Sequence, residues 1–458
     1  MAIVELRQDL PSYRFGLTPA KRRAELSKTL QLLASGVKYV KRHELGAFVH
    51  WIPDAPIHRW FRYREAYSPD LIRQLQLGAR ILDPFCGCGS IMVGAAQTGR
   101  QSVGIDVNPV AIFAAKVKLS PLSSKQLAFI ESFVDQLKQL EHTSSRWPIP
   151  ALSIADKVFE PKILATLLKL RHGIERFADG DLAVKNFLLL AWIAILETVG
   201  SYFKEGNGIK YRNKKRQKGA YENRPEGEWQ LQRFGADQRE FVLEAFRTQL
   251  TSMLKETAEW SVGAWRKQRV VAGSALNMSS LCRRSSFDSV VFSPPYANRF
   301  DYFEAFKVEL WFGGFVSSYD ELNILRKASL RSHLGADYCK PADSMDGLED
   351  LIDLMDKNAS SWRMGVADLL RGYFHDLRDV IARCKELAPS GKCHVVVGNS
   401  AFAGVIVPTD ILVALIGIQT GYRRATVVEA RHLTVAPQQR ALLKGFESFM
   451  RESIVILE

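Results

Sequence analysis

The chain has 458 residues, 47% of them hydrophobic, so it is long enough to bury a large core in two or three domains. Its formal net charge of +13, with a pI near 9.4, favours a polyanionic partner. Six cysteines without paired metal-binding spacing exclude a disulfide scaffold and are typical of a reducing, cytoplasmic environment, and we expect no metal site.

The first 44 residues are predicted to form a helical segment ahead of the first domain. Residues 1–5 lack the character of a cleavable signal, so we expect a cytoplasmic protein. Further along, Ser68 followed by Pro69 is typical of a helix N-cap with proline in the first turn.

A strand followed by a glycine-rich turn is the first indication of a ligand site. Residues 79–82 have the pattern of a buried strand and lead into the turn at 83–90, with the sequence Asp-Pro-Phe-Cys-Gly-Cys-Gly-Ser. A helix is predicted directly after it. Gly87 and Gly89 let the backbone of this turn pass close to a bound molecule.

Two acids frame this predicted site. Asp106 ends the next strand, at residues 102–105, where an acid can accept hydrogen bonds from ribose hydroxyls. Asp83 stands at the first turn, where its charge would repel a pyrophosphate but attract the ammonium and sulfonium groups of S-adenosylmethionine. The pattern therefore favours S-adenosylmethionine over a dinucleotide.

A long insertion separates this half of the sheet from the next predicted strand. After the helix that begins near Asn108 and Pro109, no sheet strand is predicted before residues 269–271, and a stretch as long as 120–268 must fold by itself. Its hydrophobic periodicity is helical. Its longest apolar run, residues 186–196, is too short to span a bilayer, so no membrane segment is predicted.

The most basic segment of the chain, residues 204–224, lies inside the insertion. Its glycines predict a loop instead of a helix, and its charge suits contact with a phosphate backbone. A solvated run of surface charge is the alternative interpretation. The side chains predicted to contact nucleic acid are Lys210, Arg212, Lys214, Lys215, Arg216 and Lys218.

The apolar run at 289–292 ends in Ser293-Pro294-Pro295-Tyr296, the most informative feature of the chain. A chain that leaves a strand into two prolines can neither continue the ladder nor begin a helix at once. The turn therefore presents a hydroxyl, a free carbonyl and an aromatic ring at the carboxyl edge of the sheet, where open α/β sheets bind ligands. This combination suits a planar heterocycle that bears an amino group.

In this order, the two turns resemble those of DNA amino-methyltransferases, which methylate exocyclic nitrogens of bases. Residues 83–90 resemble the cofactor loop of that family, 104–109 its ribose site and 293–296 its catalytic loop. A loop that begins with Ser is most associated with the cytosine-N4 enzymes. The resemblance covers about residues 45–119 and 269–458.

The resemblance implies an α/β fold with a Rossmann-like, S-adenosylmethionine-dependent methyltransferase sheet and a large, mainly helical insertion. Residues 45–119 would form the cofactor-binding half, and 269–458 the catalytic half with a further insertion near 315–364. The segment 120–268 is then the candidate DNA-recognition region, although either insertion is able to read sequence.

The residues that the resemblance places around the cofactor are Asp83, Pro84, Phe85, Gly87, Gly89, Asp106, Val107 and Ser274. Ser274 departs from the family pattern, in which an acid near the end of this strand faces the adenine amino group. A hydroxyl can still accept a hydrogen bond, so weaker cofactor affinity is expected and not a different cofactor.

The implied reaction is methyl transfer to N4 of cytosine in duplex DNA, with the target nucleotide flipped out of the helix. Hydrogen bonds from the N4 hydrogens to the Ser293 hydroxyl and the Pro294 carbonyl would localise the nitrogen lone pair toward the methyl group. Pro295 completes the rigid turn, and Tyr296 would stack on the extruded base. The chain has no Pro-Cys dipeptide for the thiol chemistry of cytosine-C5 enzymes. Besides DNA, the expected partner is a separate cognate restriction endonuclease.

Three alternatives stay open at this point. DNA adenine-N6 methyltransferases, and RNA methyltransferases that modify guanine N2 or adenine N6, share similar turns but more often carry Asp or Asn at the position of Ser293. The third alternative is a DNA-binding protein without activity on a degenerate methyltransferase fold. Measurable binding of S-adenosylmethionine would count against it.

Overall fold

The computed structural model describes residues 18–63, 66–137, 146–205, 208–212, 214–217, 220–223, 228–260, 263–333, 345, 347–356, 364–435 and 439–458. Within these ranges the chain forms an α/β fold around one mostly parallel sheet.

The strands, numbered along the chain, are β1 (Lys38–Lys41), β2 (Arg80–Asp83), β3 (Gln101–Asp106), β4 (Tyr202–Glu205), β5 (Gly208–Tyr211), β6 (Lys214–Gln217), β7 (Ala220–Asn223), β8 (Gln268–Ala272), β9 (Ser289–Phe292), β10 (Lys392–Gly398), β11 (Ser400–Phe402), β12 (Val405–Val407), β13 (Ala425–His432) and β14 (Arg451–Leu457).

The α-helices are α1 (Pro19–Ser35), α2 (Leu71–Gln74), α3 (Ser90–Gln97), α4 (Pro109–Lys118), α5 (Ser124–Gln136), α6 (Ala155–Val158), α7 (Pro161–Phe177), α8 (Leu182–Val199), α9 (Glu228–Phe234), α10 (Gln238–Glu256), α11 (Met278–Leu281), α12 (Tyr302–Ala305), α13 (Lys307–Phe312), α14 (Tyr319–Ala328), α15 (Leu348–Asp353), α16 (Val366–Leu387) and α17 (Thr409–Gln419). Short 3-10 helices include His43–Ala47 and Ala275–Asn277.

The central sheet has the strand order β1-β13-β14-β10-β9-β2-β3-β8. Its strands run parallel except β14, which is antiparallel to both of its neighbours. From β2 the chain moves outward through β3 to β8 and then returns to the other side of β2 with β9. This reversal makes the gap between β2 and β9 a topological switch point, where doubly wound sheets bind ligands beyond the carboxyl ends of their strands.

Helices cover both faces of this sheet, because successive side chains of a strand point to opposite faces. Val290 and Phe292 pack into the core formed with α16, whereas Val291 packs with Ile72 of α2 and Ile91 of α3. A parallel sheet buried on both sides needs such unbroken apolar strands. The run at 289–292 is therefore a strand, as predicted.

The N-terminal segment contributes a strand as well as a helix. β1 lies at one edge of the sheet and pairs in parallel with β13. The sequence predicts only helical structure here. The sequence does not reveal this strand because it lacks a buried apolar pattern: a lysine stands at each end and its residues are mostly exposed, as is usual for an edge strand.

The insertion is mainly helical, but its basic segment is not the predicted loop. Two antiparallel hairpins, β4–β5 and β6–β7, occupy most of it. In β4 the alternation of a strand buries Tyr202 and Lys204. Burial of the Lys204 ammonium is compensated by ion pairs with Glu197, at 3.0 Å, and with Glu309. Lys204 is thus held inside the protein.

Helix α8 extends the apolar run that was predicted to be too short for a membrane. Asp181 caps its start by accepting hydrogen bonds from the amides of Ala183 and Val184. Among the described residues, α8 is the one helix long and apolar enough to cross a bilayer, but 61% of it is buried inside the protein. Most of it belongs to the core of the insertion, beside α7 and α10.

Candidate functional site

A cleft lies beyond the carboxyl ends of β2 and β9 and contains about 880 Å³ of space free of protein atoms, part of it open solvent. The predicted site residues that line it are Pro84, Phe85, Gly87, Asp106, Val107, Ser274, Ser293 and Pro295. Asp83, Gly89, Pro294 and Tyr296 were also predicted but do not line it.

The glycine turn needs its glycines for two different reasons. Gly87 has φ = 49°, and a Cβ atom there would lie 3.1 Å from Cε1 of Tyr63, which also lines the cleft. Gly89 has φ = 86° and begins α3, where a Cβ atom would lie 3.2 Å from that of Ala115. Gly87 therefore shapes the cleft, while Gly89 allows the tight turn and the packing of helices behind it.

Asp106 joins the two loops that form one wall of the cleft. Its Oδ2 accepts a hydrogen bond from the Gly87 amide at 2.8 Å, and its Oδ1 accepts one from the Asn108 amide at 2.8 Å. Burial raises the pKa of the Asp106 carboxyl, against the opposing effect of these amides. A carboxylate held in this way keeps lone pairs for the hydroxyls of a ligand.

Asp83 is almost completely buried, at 1% exposure, at the end of β2. It accepts hydrogen bonds from the Tyr67 hydroxyl at 3.2 Å and from the Phe85 amide at 3.1 Å. Burial raises the pKa of this carboxyl to about 8, more than its hydrogen bonds lower it. Both of its partners line the cleft, so a cation bound there would restore the charge of Asp83.

Ser274 lines the cleft, as predicted, but its hydroxyl also caps a helix. Its hydroxyl accepts a hydrogen bond from the Leu276 amide at 3.2 Å and so caps the 3-10 helix Ala275–Asn277. The side chain is buried yet contributes to the cleft wall. Any hydrogen bond to a ligand must therefore share this oxygen with the cap.

The turn after β9 divides its residues between the cleft and the core. Ser293 and Pro295 are half-buried and line the cleft. The Tyr296 hydroxyl donates a hydrogen bond to Oε1 of Glu452 at 2.6 Å, and its ring fills the space beside Gly398, where a Cβ atom would lie 2.9 Å from Cε2. The ring thus lies against β14 and β10 in this structure, and its role in stacking on the base stays a prediction.

Aromatic residues missed by the sequence reasoning line the cleft instead. Tyr302 stacks on Tyr63, with ring centroids 5.8 Å apart, and contacts Phe300 edge to face. Asp301 caps α12 by accepting hydrogen bonds from two amides and also pairs with Arg326. The sequence alone gives no direction for these rings.

The basic hairpin β4–β5 packs beside the cleft. A Cβ atom at Gly208 of β5 would lie 3.5 Å from Cγ of Glu304 in α12, the helix that carries Tyr302. Lys210 is exposed, whereas Arg212 is half-buried over the Phe203 ring at 5.2 Å, and burial lowers its pKa. Lys214, Lys215 and Arg216 belong to β6, but their side chains and all of Lys218 lie outside the described residues.

Comparison with known proteins finds curated relatives that are all Type II methyltransferases. M.AvaI of Nostoc sp. is 23% identical over 392 residues, which cover 80% of this chain and 79% of that protein. M.BsoBI of Geobacillus stearothermophilus is 25% identical over 410 residues, with the same two coverages. M.MvaI of Kocuria varians is 23% identical over 258 residues, 53% of each chain. No family model and no solved structure matches the chain.

These relatives support the predicted relationship to DNA methyltransferases. Type II DNA methyltransferases use S-adenosyl-L-methionine, the cofactor that the sequence predicts. The names of the relatives do not distinguish cytosine N4 from adenine N6. The prediction of the methylated base, and the role of each site residue, stay predictions.

Proposed function

We propose that this protein is a cytoplasmic, site-specific DNA methyltransferase of a restriction-modification system that transfers a methyl group to N4 of cytosine. The observation that carries the proposal is the meeting of two turns in one cleft: Gly87 of the turn after β2, with Asp106 at the end of β3, and Ser293 and Pro295 of the turn after β9 line the same cleft. A nucleoside-binding turn and an acceptor-rich turn at the switch point of a doubly wound sheet fit a cofactor and a base side by side.

The cleft fits S-adenosylmethionine by its charge and its backbone. Asp106 would accept hydrogen bonds from the ribose hydroxyls, and Gly87 leaves room for the ligand. Burial raises the pKa of the Asp83 carboxyl to about 8, so a cation bound beside it would favour the charged form. Phe85 and Val107 provide apolar surface, and Ser274 also lines the cleft. The bound cofactor supplies an electrophilic methyl group.

The turn after β9 is suited to an amino group because it offers acceptors. Pro294 and Pro295 have no amide hydrogen, so this part of the turn presents the Ser293 hydroxyl and backbone carbonyls without competing donors. Hydrogen bonds accepted from the two N4 hydrogens would draw the nitrogen toward tetrahedral geometry and free its lone pair for attack. Tyr302 lines the cleft and is a second aromatic ring, beside the predicted Tyr296, on which an extruded base could stack.

The hairpins of the insertion are the proposed contact with the DNA backbone. The first of them, β4–β5, lies next to α12, the helix that carries Tyr302 of the cleft lining. A duplex held there would present an extruded nucleotide to the turn after β9. Lys204 takes no part in this contact, because it is buried between Glu197 and Glu309.

Simultaneous replacement of Lys214, Lys215 and Arg216 by alanine is expected to weaken DNA binding and to flatten its salt dependence. Each cationic side chain that pairs with a phosphate adds about 0.9 to the steepness of log K against log salt, so the triple variant should be less steep by up to about 2.7. Fluorescence anisotropy with a labelled duplex over a salt series measures this slope.

The matched control removes the same charge from the opposite edge of the sheet. Arg283, Arg284 and Arg424 are exposed near the amino ends of β9 and β13. Their triple alanine variant should keep the slope of the wild type. If the two triple variants have the same slope of log K against log salt, the basic segment does not contact the DNA backbone and is a solvated run of surface charge.

The function itself is tested by mass spectrometry of nucleosides from DNA and from RNA, each incubated with the purified protein and isotopically labelled S-adenosylmethionine. We expect labelled N4-methyldeoxycytidine from DNA. Labelled N6-methyldeoxyadenosine would show that the methylated base is adenine, and label found only in RNA would show that the substrate is RNA. Binding of the cofactor without any transfer would indicate a protein that binds DNA on an inactive scaffold.

A further inference from the structure

Three potential metal ligands lie together outside the cleft, at one edge of the sheet: His43, Glu429 and His432. Nε2 of His43 is 2.6 Å from Oε1 of Glu429, and Nε2 of His432 is 3.5 Å from the same oxygen. One ligand atom from each side chain lies within 4.8 Å of the other two.

A β-bulge brings two of these residues to the same face of the sheet. In a regular strand, residues three apart such as Glu429 and His432 point to opposite faces. Here Glu429 pairs with Ser453 and Arg431 pairs with Glu452, so Ala430 is an extra residue in β13. The bulge shifts the alternation by one position and turns His432 toward the Glu429 carboxylate.

The third residue is brought in by the N-terminal segment. Lys41, the last residue of β1, pairs with Glu429, and the Arg42 amide donates a hydrogen bond to the Glu429 carbonyl at 2.9 Å. His43 follows directly and begins the 3-10 helix His43–Ala47. The cluster therefore joins a segment near the start of the chain to a strand almost four hundred residues later.

The carboxylate is fixed while the two imidazoles can adjust. Glu429 is buried, and its Oε2 accepts a hydrogen bond from the Tyr39 hydroxyl. The side chains of His43 and His432 are 51% and 57% exposed. Metal-bound carboxylates are commonly oriented by such a second hydrogen bond, and exposed imidazoles lose little when they move by a few tenths of an ångström.

We propose that His43, Glu429 and His432 bind one zinc-class divalent transition-metal ion, with water completing the coordination. Two imidazole nitrogens and one carboxylate oxygen suit Zn²⁺, whereas Mg²⁺ and Ca²⁺ prefer oxygen ligands throughout. Tetrahedral Zn²⁺ with bonds of ~2.0–2.1 Å places its ligand atoms ~3.3–3.4 Å apart. The two distances of 2.6 and 3.5 Å to Glu429 bracket this value, so small side-chain rotations suffice.

The ion would hold the edge of the sheet together. It would cross-link the N-terminal segment, through His43, to β13, through Glu429 and His432, and leave the cleft untouched. This site revises the expectation from the sequence that the chain binds no metal. That expectation rested on cysteine spacing, and the three ligands of this cluster are brought together only by the pairing of β1 with β13 and by the bulge.

The test is titration of the full chain with ZnCl₂ by calorimetry after removal of metal with a chelator and dialysis. We expect one Zn²⁺ per chain and a higher melting temperature with Zn²⁺. His43→Ala and His432→Ala should each weaken Zn²⁺ binding at least about tenfold and reduce this thermal shift. His50→Ala is the matched control, because His50 is an exposed histidine of the same segment whose ring contacts the Gly46 carbonyl.

A second measurement does not depend on the folding of any variant. Co²⁺ added to the wild-type chain should give the visible absorption of a low-symmetry, four- or five-coordinate site, and Zn²⁺ should displace it. Absence of saturable Zn²⁺ and Co²⁺ binding, or equal Zn²⁺ affinity in the wild type and the His43→Ala, His432→Ala double variant, would overturn the proposal. The three side chains would then be a hydrogen-bonded cluster only.

Discussion

Ser293→Ala is expected to lower the rate of methyl transfer about 10²- to 10³-fold while the affinity for S-adenosylmethionine stays nearly unchanged. The hydroxyl of Ser293 lies on the cleft wall formed by the turn after β9, and it is proposed to accept one of the two amino hydrogens of the target base. This hydrogen bond strengthens as the nitrogen becomes tetrahedral, so its loss acts on the transition state more than on binding.

A second serine of the same cleft provides the control. Ser329 also lines the cleft, but its hydroxyl donates a hydrogen bond to the Arg326 carbonyl at 2.7 Å and so serves the end of α14. Single-turnover rates with saturating DNA, and cofactor titration by calorimetry, should separate the two variants. Equal rates for Ser293→Ala and Ser329→Ala would contradict the proposed catalytic role of the Ser293 hydroxyl. A large loss of cofactor affinity in Ser293→Ala would indicate that Ser293 binds the cofactor instead of the base.

The strands of the site could be predicted because their information is local. The run at 289–292 is apolar at every position and is followed by two prolines, and the strand ends at Phe292 for that reason. The turn after β2 is equally local, since Gly87 and Gly89 both adopt the positive φ that favours glycine. Residues that form both sides of the cleft could therefore be named before their contacts were known.

The remaining features depend on partners that are distant in the chain. Tyr296 is anchored to β14 because its hydroxyl donates a hydrogen bond to Glu452, 156 residues later. Lys204 is buried because Glu309, 105 residues later, meets its ammonium. A sequence pattern shows that a tyrosine follows two prolines or that a lysine lies in a basic run, but it does not show which carboxylate will lie opposite in the fold.

The cofactor affinity of the wild type is expected to rise with pH, by up to about tenfold per unit, between about pH 6 and about pH 8. Asp83 in the free protein has a pKa of about 8, because burial disfavours its charged form. A cation in the cleft favours that charged form, so binding releases a proton below pH 8 and becomes tighter as the pH rises. Above the pKa the carboxyl is already charged, and the dependence levels off.

The same carboxyl affects the stability of the free protein with the opposite sign. The folded chain retains a proton on Asp83 that the unfolded chain releases above about pH 4, so the free energy of unfolding should fall from about pH 4 to about pH 8 and then level off. Asp83→Asn removes this titration. The variant should be at least as stable as the wild type at pH 8 without cofactor, as measured by urea unfolding, although it binds the cofactor about 10- to 100-fold more weakly there.

Calorimetric titration with S-adenosylmethionine at a series of pH values compares the wild type, Asp83→Asn and Asp288→Asn. Asp288 is the control acid, because its ion pair with Arg80 at the amino end of the sheet lowers its pKa, so it stays charged throughout the range. Asp106, whose pKa burial raises, and His333, whose pKa burial lowers, are intact in every variant, so they contribute equally to all three profiles. A wild-type affinity that is flat from about pH 6 to about pH 8, or an Asp83→Asn profile equal to that of Asp288→Asn, would show that Asp83 does not sense the charge of the cofactor.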